Sequence, residues 1–374
     1  MKSVKLTISE LRREKGVTQS ELADYLGVSF QAVSKWENGI SMPDIILLPL
    51  LSEYFQVSVD EILGLKPLSN REYIERGTDK KEHWDKKLGY LKDSRIGFWN
   101  EDYLEFLVNK VWNITKPIDI IDFGCGYGYL GIMLLKILPT GSTYTGVDIS
   151  DKLLDEARII FKDSAYKTKF IKSDLNSLKV KEKYDIAICQ ALLRHLPNPK
   201  EILKKMTDSV KIGGMVICAE INREFENVGL YIKGIEYNSL NKTSVLKKFW
   251  KTELELEGRD YSVGIKVPCY MQECGLHNID VRINDKVNLI NPYEDKSKYS
   301  KLLNSLITTN EWNRILSEDE KKDIIALFMN RGLTRTEAEI YLKSEMDICQ
   351  FIMNNKDDAF ILKTHCLLIS YGTK

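Results

Sequence analysis

From Ile118 onward, the chain alternates short apolar runs with amphipathic stretches, and this alternation constrains its fold more than any other feature. The apolar runs have the length of buried strands, whereas the stretches between them carry apolar residues at helical spacing. Predicted strands cover 118–123, 143–147, 169–171, 184–189 and 215–219, and predicted helices cover 129–138, 151–161 and 199–210. This order predicts a parallel, doubly wound α/β sheet with helices on both faces.

A glycine turn follows the first predicted strand, with Gly124, Gly126 and Gly128 at alternate positions. A turn without side chains lets a ligand approach the backbone, and the N-terminus of the following helix favours negative charge. The glycines at 126, 128 and 131 also have the spacing of a dinucleotide-binding turn. NAD is therefore an alternative ligand for this turn.

Polar side chains stand at the carboxyl ends of four predicted strands, where ligands bind in sheets of this class. These are Asp122, Asp148, Asp174 and Gln190. Asp148 follows the turn by about 20 residues, which suits a ribose diol. The third acid, Asp174, suits an adenine amino group. Three acids in this order favour S-adenosylmethionine over NAD.

Together these residues resemble the class I S-adenosylmethionine-dependent methyltransferases, a Rossmann-like family, and within it the group that methylates quinones and other small molecules. The matched motifs run from Asp122 to Glu220. Two further predicted strands, near 278–287 and 366–371, match the hairpin that this family adds to its sheet. The resemblance implies that S-adenosylmethionine is the cofactor. It implies cofactor contacts from Asp122, Gly124, Gly126, Gly128, Asp148, Ile149, Asp174, Leu175 and Gln190.

The resemblance also implies a role for each position. The three glycines line the methionine and ribose side of the cofactor. Asp148 holds the ribose hydroxyls, Ile149 and Leu175 sandwich the adenine, and Asp174 binds its amino group. Gln190 lies near the methionine end.

His195 follows the fourth predicted strand and therefore borders the predicted site. It is a candidate general base. The alternative is that it only lines the pocket, because related methyltransferases carry this histidine where no base is needed. Pro268–Cys269 and Asn291–Tyr293 resemble DNA-methyltransferase motifs, but both follow the fifth strand rather than the fourth. No set of side chains has a common metal-ligand spacing.

Two insertions, at about 222–262 and 294–358, fall outside the strand–helix pattern. Insertions of this size usually form a lid or a binding wall. The first insertion follows the fifth strand and is predicted to cover the methyl acceptor with aromatic side chains. The alternative is that these aromatics only pack the insertion onto the core. They are Tyr231, Tyr237, Phe249, Trp250 and Tyr261.

The N-terminal residues carry a helix-turn-helix pattern. Thr18 to Glu21 form a capping box that starts one predicted helix, and Ser29 caps the next. Gly27 allows the tight turn between them. The stretch from Thr18 to Gly39 closely resembles the phage-repressor-like (XRE) family of DNA-binding domains.

In that family the third helix enters the major groove of double-stranded DNA. The resemblance implies base contacts from Phe30, Gln31, Ser34 and Lys35, and phosphate contacts from Gln19 and Asn38. Residues 1–64 carry six basic and nine acidic side chains, a balance that is poor for phosphate-driven affinity. A module that contacts protein instead of DNA is therefore the alternative.

Bulk composition fits a cytoplasmic bacterial protein. The 54 basic and 54 acidic side chains leave no net charge to attract nucleic acid or membrane. Seven scattered cysteines favour reduced thiols, and no signal sequence or membrane span is apparent. Lysine greatly outnumbers arginine, which is typical of AT-rich genomes.

The sequence predicts an all-α helix-turn-helix domain at 1–65, a polar linker at 66–100 and a methyltransferase domain with helical insertions at 101–374. The predicted function is methylation of a small molecule by an enzyme that also binds double-stranded DNA, with a homodimer as the candidate assembly. Two alternatives stay open. One is a transcriptional regulator that only senses S-adenosylmethionine, and the other is a DNA methyltransferase.

Overall fold

The computed structural model describes residues 6–66, 68, 73, 75–180 and 183–374. The chain divides into two compact units. The first unit consists of Met1–Glu75, Ser244–Thr252 and Arg314–Ile348. The second unit consists of Arg76–Thr243, Glu253–Asn313 and Cys349–Lys374. The boundaries differ from those expected from the sequence, because pieces of both predicted insertions belong to the first unit.

Helices form where the sequence has apolar residues at helical spacing. In chain order they are α1 (Ile8–Glu14), α2 (Gln19–Leu26), α3 (Phe30–Glu37), α4 (Leu48–Phe55), α5 (Val59–Ile62), α6 (Lys81–Trp84), α7 (Leu88–Arg95), α8 (Glu101–Phe106), α9 (Tyr129–Ile137), α10 (Asp151–Phe161), α11 (Pro199–Ser209), α12 (Arg223–Val228), α13 (Tyr237–Leu240), α14 (Thr243–Glu257), α15 (Val263–Glu273), α16 (Lys296–Asn310), α17 (Glu318–Asn330) and α18 (Arg335–Asn354). No helix in the described part of the chain is both long and apolar enough to cross a bilayer.

The strands follow the predicted pattern. They are β1 (Asp119–Phe123), β2 (Thr143–Asp148), β3 (Lys167–Lys172), β4 (Tyr184–Gln190), β5 (Val210–Ile221), β6 (Leu230–Ile232), β7 (His277–Ile283), β8 (Val287–Ile290), β9 (Ile361–Thr364) and β10 (Leu367–Thr373). A seven-stranded sheet has the order β3-β2-β1-β4-β5-β10-β7. Strands β1 to β5 are parallel, whereas β10 pairs antiparallel with β5 and β7. This confirms the predicted α/β fold with a C-terminal antiparallel addition.

Both faces of the large sheet are covered, as the near-continuous apolar strands require. One hydrophobic cluster includes Leu104, Leu134 and Leu154, from α8, α9 and α10. A second cluster includes Leu203 of α11 and Val267 of α15. A separate three-stranded sheet, β6-β9-β8, was not predicted from the sequence.

The first unit begins with the helix-turn-helix. Thr18 and Ser29 accept backbone N–H groups at the starts of α2 and α3, and Gly27 ends α2 in the left-handed conformation. Val33 and Trp36 of α3 are buried in a core shared with α1, α2, α4 and α5. The all-α prediction for this region is therefore confirmed.

The remaining parts of the first unit come from the insertions. Phe249 of α14 packs with Met329 of α17, Leu333 and Ala338. The Arg335 side chain pairs with Glu10 of α1, so the inserted helices contact the helix-turn-helix itself.

The predicted linker also differs from the structure. Residues 76–100 belong to the second unit and contain α6 and α7. Leu91 is buried against Tyr127 and Leu153 in a small hydrophobic cluster. These packing contacts, which local sequence does not reveal, make the segment part of the fold instead of a solvated connector.

Candidate functional site

A cleft opens at the carboxyl edge of the large sheet in the second unit. It encloses ≈ 900 Å³, its open mouth included. The ends of β1, β2 and β4 supply one wall, and the segment with α6 and α7 supplies the opposite one. Sequence-predicted residues on the cleft wall are Asp122, Gly124, Gly126, Asp148, Ile149, Asp174, Leu175, Gln190 and His195. Gly128, which was also predicted, does not line the cleft.

The glycine turn has a backbone that other residues would strain. Gly124 has φ +70°, and a Cβ there would lie 2.5 Å from Leu192 Cδ1. Gly128 has φ +79°, and a Cβ there would lie 2.9 Å from Phe161 Cε2. The turn therefore has no room for side chains, and its backbone forms part of the cleft floor.

Asp148 is fixed by backbone N–H groups. One carboxylate oxygen accepts the Gly126 N–H at 2.8 Å and the other accepts the Ser150 N–H at 2.9 Å. Burial raises the pKa of Asp148, and these two hydrogen bonds oppose that effect. Each oxygen keeps a second lone pair, so the carboxylate can still accept hydroxyl groups of a ligand.

Asp122 lies deeper, at the end of β1. Its Oδ2 accepts the Tyr144 hydroxyl at 2.6 Å, whereas Oδ1 is buried with no hydrogen-bond partner. Burial raises the pKa of Asp122 to about 7, and the nearby Asp148 adds to this effect. A buried acceptor without a donor is unfavourable unless a ligand or a proton satisfies it.

The other predicted residues occupy different parts of the wall. The Asp174 side chain is exposed and accepts the Asn176 N–H at 2.8 Å, while Leu175 is buried. Gln190 is buried, and its side-chain oxygen accepts the Trp99 indole N–H at 2.6 Å.

The turn after β4 is held by Glu220 at the end of β5. Its Oε1 accepts the N–H groups of Leu192 and Leu193, both at 2.9 Å. Ala191, at the start of this turn, has φ +50°, a strained value for a residue with a side chain. The strain is located where the chain lines the cleft.

Among the cleft-wall residues that were not predicted from the sequence, five precede β1: Thr78, Asp79, Trp84, Leu91 and Arg95. They fall in the segment expected to be a linker. Trp84 and Leu91 stand with Leu88 at helical spacing, a signal that could have identified an apolar helix face. The Trp84 indole N–H donates to the Thr78 carbonyl at 2.7 Å.

Positive charge collects near the cleft. The Arg95 side chain lies on the wall, and its guanidinium stacks over the Phe98 ring, 4.6 Å from the centroid. Burial lowers the pKa of Arg95 and lowers the pKa of Arg194 to about 10. Despite burial, the pKa of Tyr90 is lowered, because Arg223 and Arg194 favour its phenolate.

His195 is held by its neighbour in sequence. The Arg194 Nε–H donates to His195 Nε2 at 3.0 Å, and the Trp84 ring packs edge-on at 4.9 Å. Burial and the adjacent cations hold the pKa of His195 well below its usual range. The ring is therefore neutral, and its single lone pair already accepts a hydrogen bond.

The aromatics of the first insertion do not form the cleft. Phe249 and Trp250 pack in the first unit, and Tyr261 is buried with its hydroxyl donated to Glu253 at 2.7 Å. Tyr231 and Tyr237 are exposed. None of the five aromatics that the sequence predicted at the acceptor site lines this cleft, and the aromatic side chains on its wall are Trp84, Tyr127 and Tyr129.

In the first unit, α3 presents the residues predicted to contact bases. Phe30, Gln31 and Lys35 are exposed, and Ser34 is half-buried. Asn38 is exposed and donates to the Ser34 carbonyl at 2.8 Å.

A second set of contacts ties the ends of this motif together. Gln19 donates to Glu37 at 2.8 Å, and Glu37 also accepts two hydrogen bonds from Arg12, at 2.6 and 3.0 Å. One side-chain N–H of Gln19 is therefore used in a hydrogen bond within the motif.

Comparison with known proteins gave two family matches. A model described as "Methyltransferase domain" matches residues 114–320, and one described as "Helix-turn-helix" matches residues 8–62.

Individual relatives match part of the chain. "Ubiquinone biosynthesis O-methyltransferase" of Shewanella pealeana is 32% identical over 120 residues, which cover 32% of this chain and 50% of that protein. The protein of the same name from Coxiella burnetii is 28% identical over 169 residues, 45% of this chain and 69% of that protein. The chain thus spans about half the length of the first relative and about two thirds of the second. A solved structure, phosphoethanolamine N-methyltransferase 2 of Haemonchus contortus, has a TM-score of 0.43 at 13% identity, covering 82% of this chain and 60% of that one.

Proposed function

Because the chain belongs to the methyltransferase-domain family and carries a helix-turn-helix domain, we propose that it methylates a small molecule with S-adenosylmethionine and binds double-stranded DNA. The observation that carries the methyltransferase proposal is the cleft in which the glycine turn and Asp148 meet at the carboxyl edge of the sheet.

The residues of the cleft fit S-adenosylmethionine. Gly124 and Gly126 line the cleft with backbone alone, and Asp148 retains lone pairs for two ribose hydroxyls. Asp174 and Leu175 offer a carboxylate and an apolar surface for an adenine ring. These are the roles that the sequence resemblance implies for these positions.

Arg95 extends this assignment. S-adenosylmethionine has a carboxylate that needs a cation when it leaves water. Arg95 lies on the cleft wall without an acidic partner among the residues described by the structure. We therefore assign the methionine carboxylate to Arg95.

When bound, S-adenosylmethionine supplies an electrophilic methyl group on a sulfonium, and an O–H or N–H acceptor that takes this methyl gives up one proton. The chain's own residues position the acceptor and exclude water. His195 is not assigned as the base, because its lone pair accepts the Arg194 N–H. Trp84 packs against the ring and closes this side of the cleft.

A small-molecule acceptor is supported by the enclosed, partly aromatic cleft and by relatives named for ubiquinone biosynthesis. We propose a cytoplasmic setting, since DNA and S-adenosylmethionine meet there in bacteria.

DNA binding is supported by the exposed outer face of α3. Binding as a homodimer would require a near-palindromic operator with half-sites about one helical turn apart. Because acidic side chains outnumber basic ones in residues 1–64, we expect base contacts to contribute more to the DNA affinity than phosphate contacts do.

The test of the methyltransferase proposal has two stages. Calorimetry with the full-length protein should detect binding of S-adenosylmethionine and S-adenosylhomocysteine, and none of NAD. Extracts of a deletion strain should then accept a labelled methyl group from S-adenosylmethionine when purified protein is added. Cofactor binding without any labelled product would support a regulator that senses S-adenosylmethionine.

A further inference from the structure

Arg194 is a nearly buried cation that forms no ion pair with a carboxylate in the described part of the chain. Its side chain lies in the turn after β4 and is 7% exposed. Its Nε–H donates to His195, whereas Nη1 is buried without any hydrogen-bond partner. A buried charge without an opposite charge is among the least favourable arrangements in a folded protein.

The neighbouring arginines are paired. Arg223 pairs with Glu226, and Arg259 pairs with Glu253 at 2.9 Å. These pairs leave no unused carboxylate for Arg194 in this cluster.

Glu220 lies close enough to Arg194 for the guanidinium to act on its pKa, and its Oε2 is buried without a hydrogen-bond partner. Its Oε1 accepts the backbone N–H groups of Leu192 and Leu193, and burial raises its pKa. Among the described residues it forms no ion pair with Arg194. The guanidinium therefore remains available for a group from outside the chain.

Arg194 is connected to the cleft through His195, to which its Nε–H donates. His195 lines the cleft and its Nδ1 is buried without a partner. Because Nε2 accepts from Arg194, the proton of the neutral ring is on Nδ1, which is therefore a donor. Two adjacent side chains thus offer unpartnered N–H donors, one of them charged, a chemistry that suits an oxyanion.

S-adenosylmethionine does not supply the oxyanion that these donors would bind. S-adenosylmethionine has one carboxylate, which Arg95 can bind, and its ammonium and sulfonium groups are positive. A second arginine without a carboxylate partner near this cleft would oppose the binding of a cationic cofactor, unless the acceptor brings negative charge.

We propose that Arg194 binds a carboxylate or phosphate group of the methyl acceptor, so that the acceptor is an anion. This proposal rests on the proposed methyltransferase function. The anionic group anchors the acceptor at the turn after β4, and the methylated atom lies elsewhere on the same molecule.

The test uses full-length protein saturated with S-adenosylhomocysteine and three probes: benzoate, its neutral isostere benzamide, and inorganic phosphate. Benzoate combines a carboxylate with a ring suited to the aromatic side chains of the cleft. We expect benzoate to bind at least about tenfold more tightly than benzamide in calorimetry. Competition by phosphate would favour a phosphate-bearing acceptor, and its absence would favour a carboxylate.

Variants separate binding from folding. Arg194→Met should reduce the preference for benzoate over benzamide to within about twofold and leave the affinity for S-adenosylhomocysteine unchanged. Arg194→Lys should keep part of the preference for benzoate. Arg282→Met, at an exposed arginine of the same unit, should keep all of it. Arg194→Met should also leave the melting temperature unchanged or raise it, because an uncompensated buried charge is removed.

Equal affinity for benzoate and benzamide, no saturable benzoate binding, or a preference that survives Arg194→Met would overturn the proposal. So would a fall in melting temperature with unchanged benzoate binding, since Arg194 would then be structural. A failure of the wild-type protein to bind S-adenosylhomocysteine would instead contradict the methyltransferase function itself.

Discussion

At the scale of single residues, Asp148 combines two roles that are usually separate. Its carboxylate accepts the Gly126 N–H and so fixes the glycine turn, and the same residue lines the cleft. Rigid support of a binding group by the backbone limits the entropy lost when a ligand binds.

The first prediction tests this residue. Asp148→Ala should weaken S-adenosylmethionine binding by at least about tenfold, because a charged hydrogen-bond partner of roughly 1.5–3 kcal/mol is lost. Calorimetry measures the effect, and Asp163→Ala, at an exposed acid of the same unit, serves as the control. Unchanged affinity in Asp148→Ala would contradict the ribose assignment.

Asp122 gives a prediction about pH. Its pKa is about 7 in the folded protein and near 3.8 when unfolded. At a pH between these two pKa values, Asp122 is ionised in the unfolded chain and protonated in the folded protein. The free energy of unfolding therefore falls as the pH rises through this range, by up to about 4 kcal/mol. Asp122→Asn should therefore stabilise the protein at pH 8 and have little effect near pH 4.

Urea denaturation of the cofactor-free protein at several pH values would check this expectation. Asp174→Asn, at an exposed carboxylate on the same cleft, should show no such pH-dependent gain. A loss of stability in Asp122→Asn that is equal at all pH values would show that the carboxylate is needed for its hydrogen bond to Tyr144 alone.

At the scale of elements, the large sheet could be predicted because each parallel strand is buried on both faces and therefore reads as an apolar run. Because parallel strands end at the same edge of the sheet, the strand directions also predicted that the acids and the glycine turn lie together at that edge. Of the nine predicted cofactor contacts and His195, all but Gly128 line the cleft, whereas none of the five predicted acceptor-site aromatics does.

The wall formed by α6 and α7 could not be predicted in the same way. The described N-cap residues of these helices, Lys80 and Lys87, make no side-chain capping hydrogen bond, and α6 has four residues. Local signals are therefore weak, and the segment's place depends on long-range contacts such as Leu91 with Tyr127. Polar residues outnumber apolar ones in residues 66–100, and this composition favoured the prediction of a linker.

The helix α3 provides a prediction at the same scale. Lys35 is its single basic residue and is exposed. Once an operator has been selected from random DNA, Lys35→Ala should reduce discrimination at one base pair by about 1–3 kcal/mol. Fluorescence anisotropy at low salt measures it, and Arg13→Ala on α1 serves as the control. If both variants weaken all sequences equally, Lys35 contacts phosphate and not a base.

At the scale of the whole molecule, the first unit is assembled from three separate stretches of chain. The helix-turn-helix match covers only the first stretch. The second stretch lies within the methyltransferase match, and the third begins inside it and extends past its end at residue 320. Arg335 and Glu10, from distant parts of the sequence, form a half-buried ion pair in this unit.

A double-mutant cycle tests whether that pair contributes to stability. Arg335→Glu should destabilise the first unit by roughly 1–3 kcal/mol, because two carboxylates then face each other, and adding Glu10→Arg should recover part of the loss. Hydrogen exchange of α1 amides reports on this unit specifically. Additive effects of the two substitutions would mean that the ion pair contributes nothing.

The three-stretch construction also bears on how such a fusion can change during evolution. A DNA-binding domain attached by one junction can be exchanged as a cassette, since a single recombination event replaces it whole. Here an exchange near residue 66 would bring in a foreign helix-turn-helix and leave behind the partner of Glu10, encoded some 270 codons away. New operator preferences in this lineage should therefore arise by point substitutions on the outer face of α3, while the two functions are inherited together.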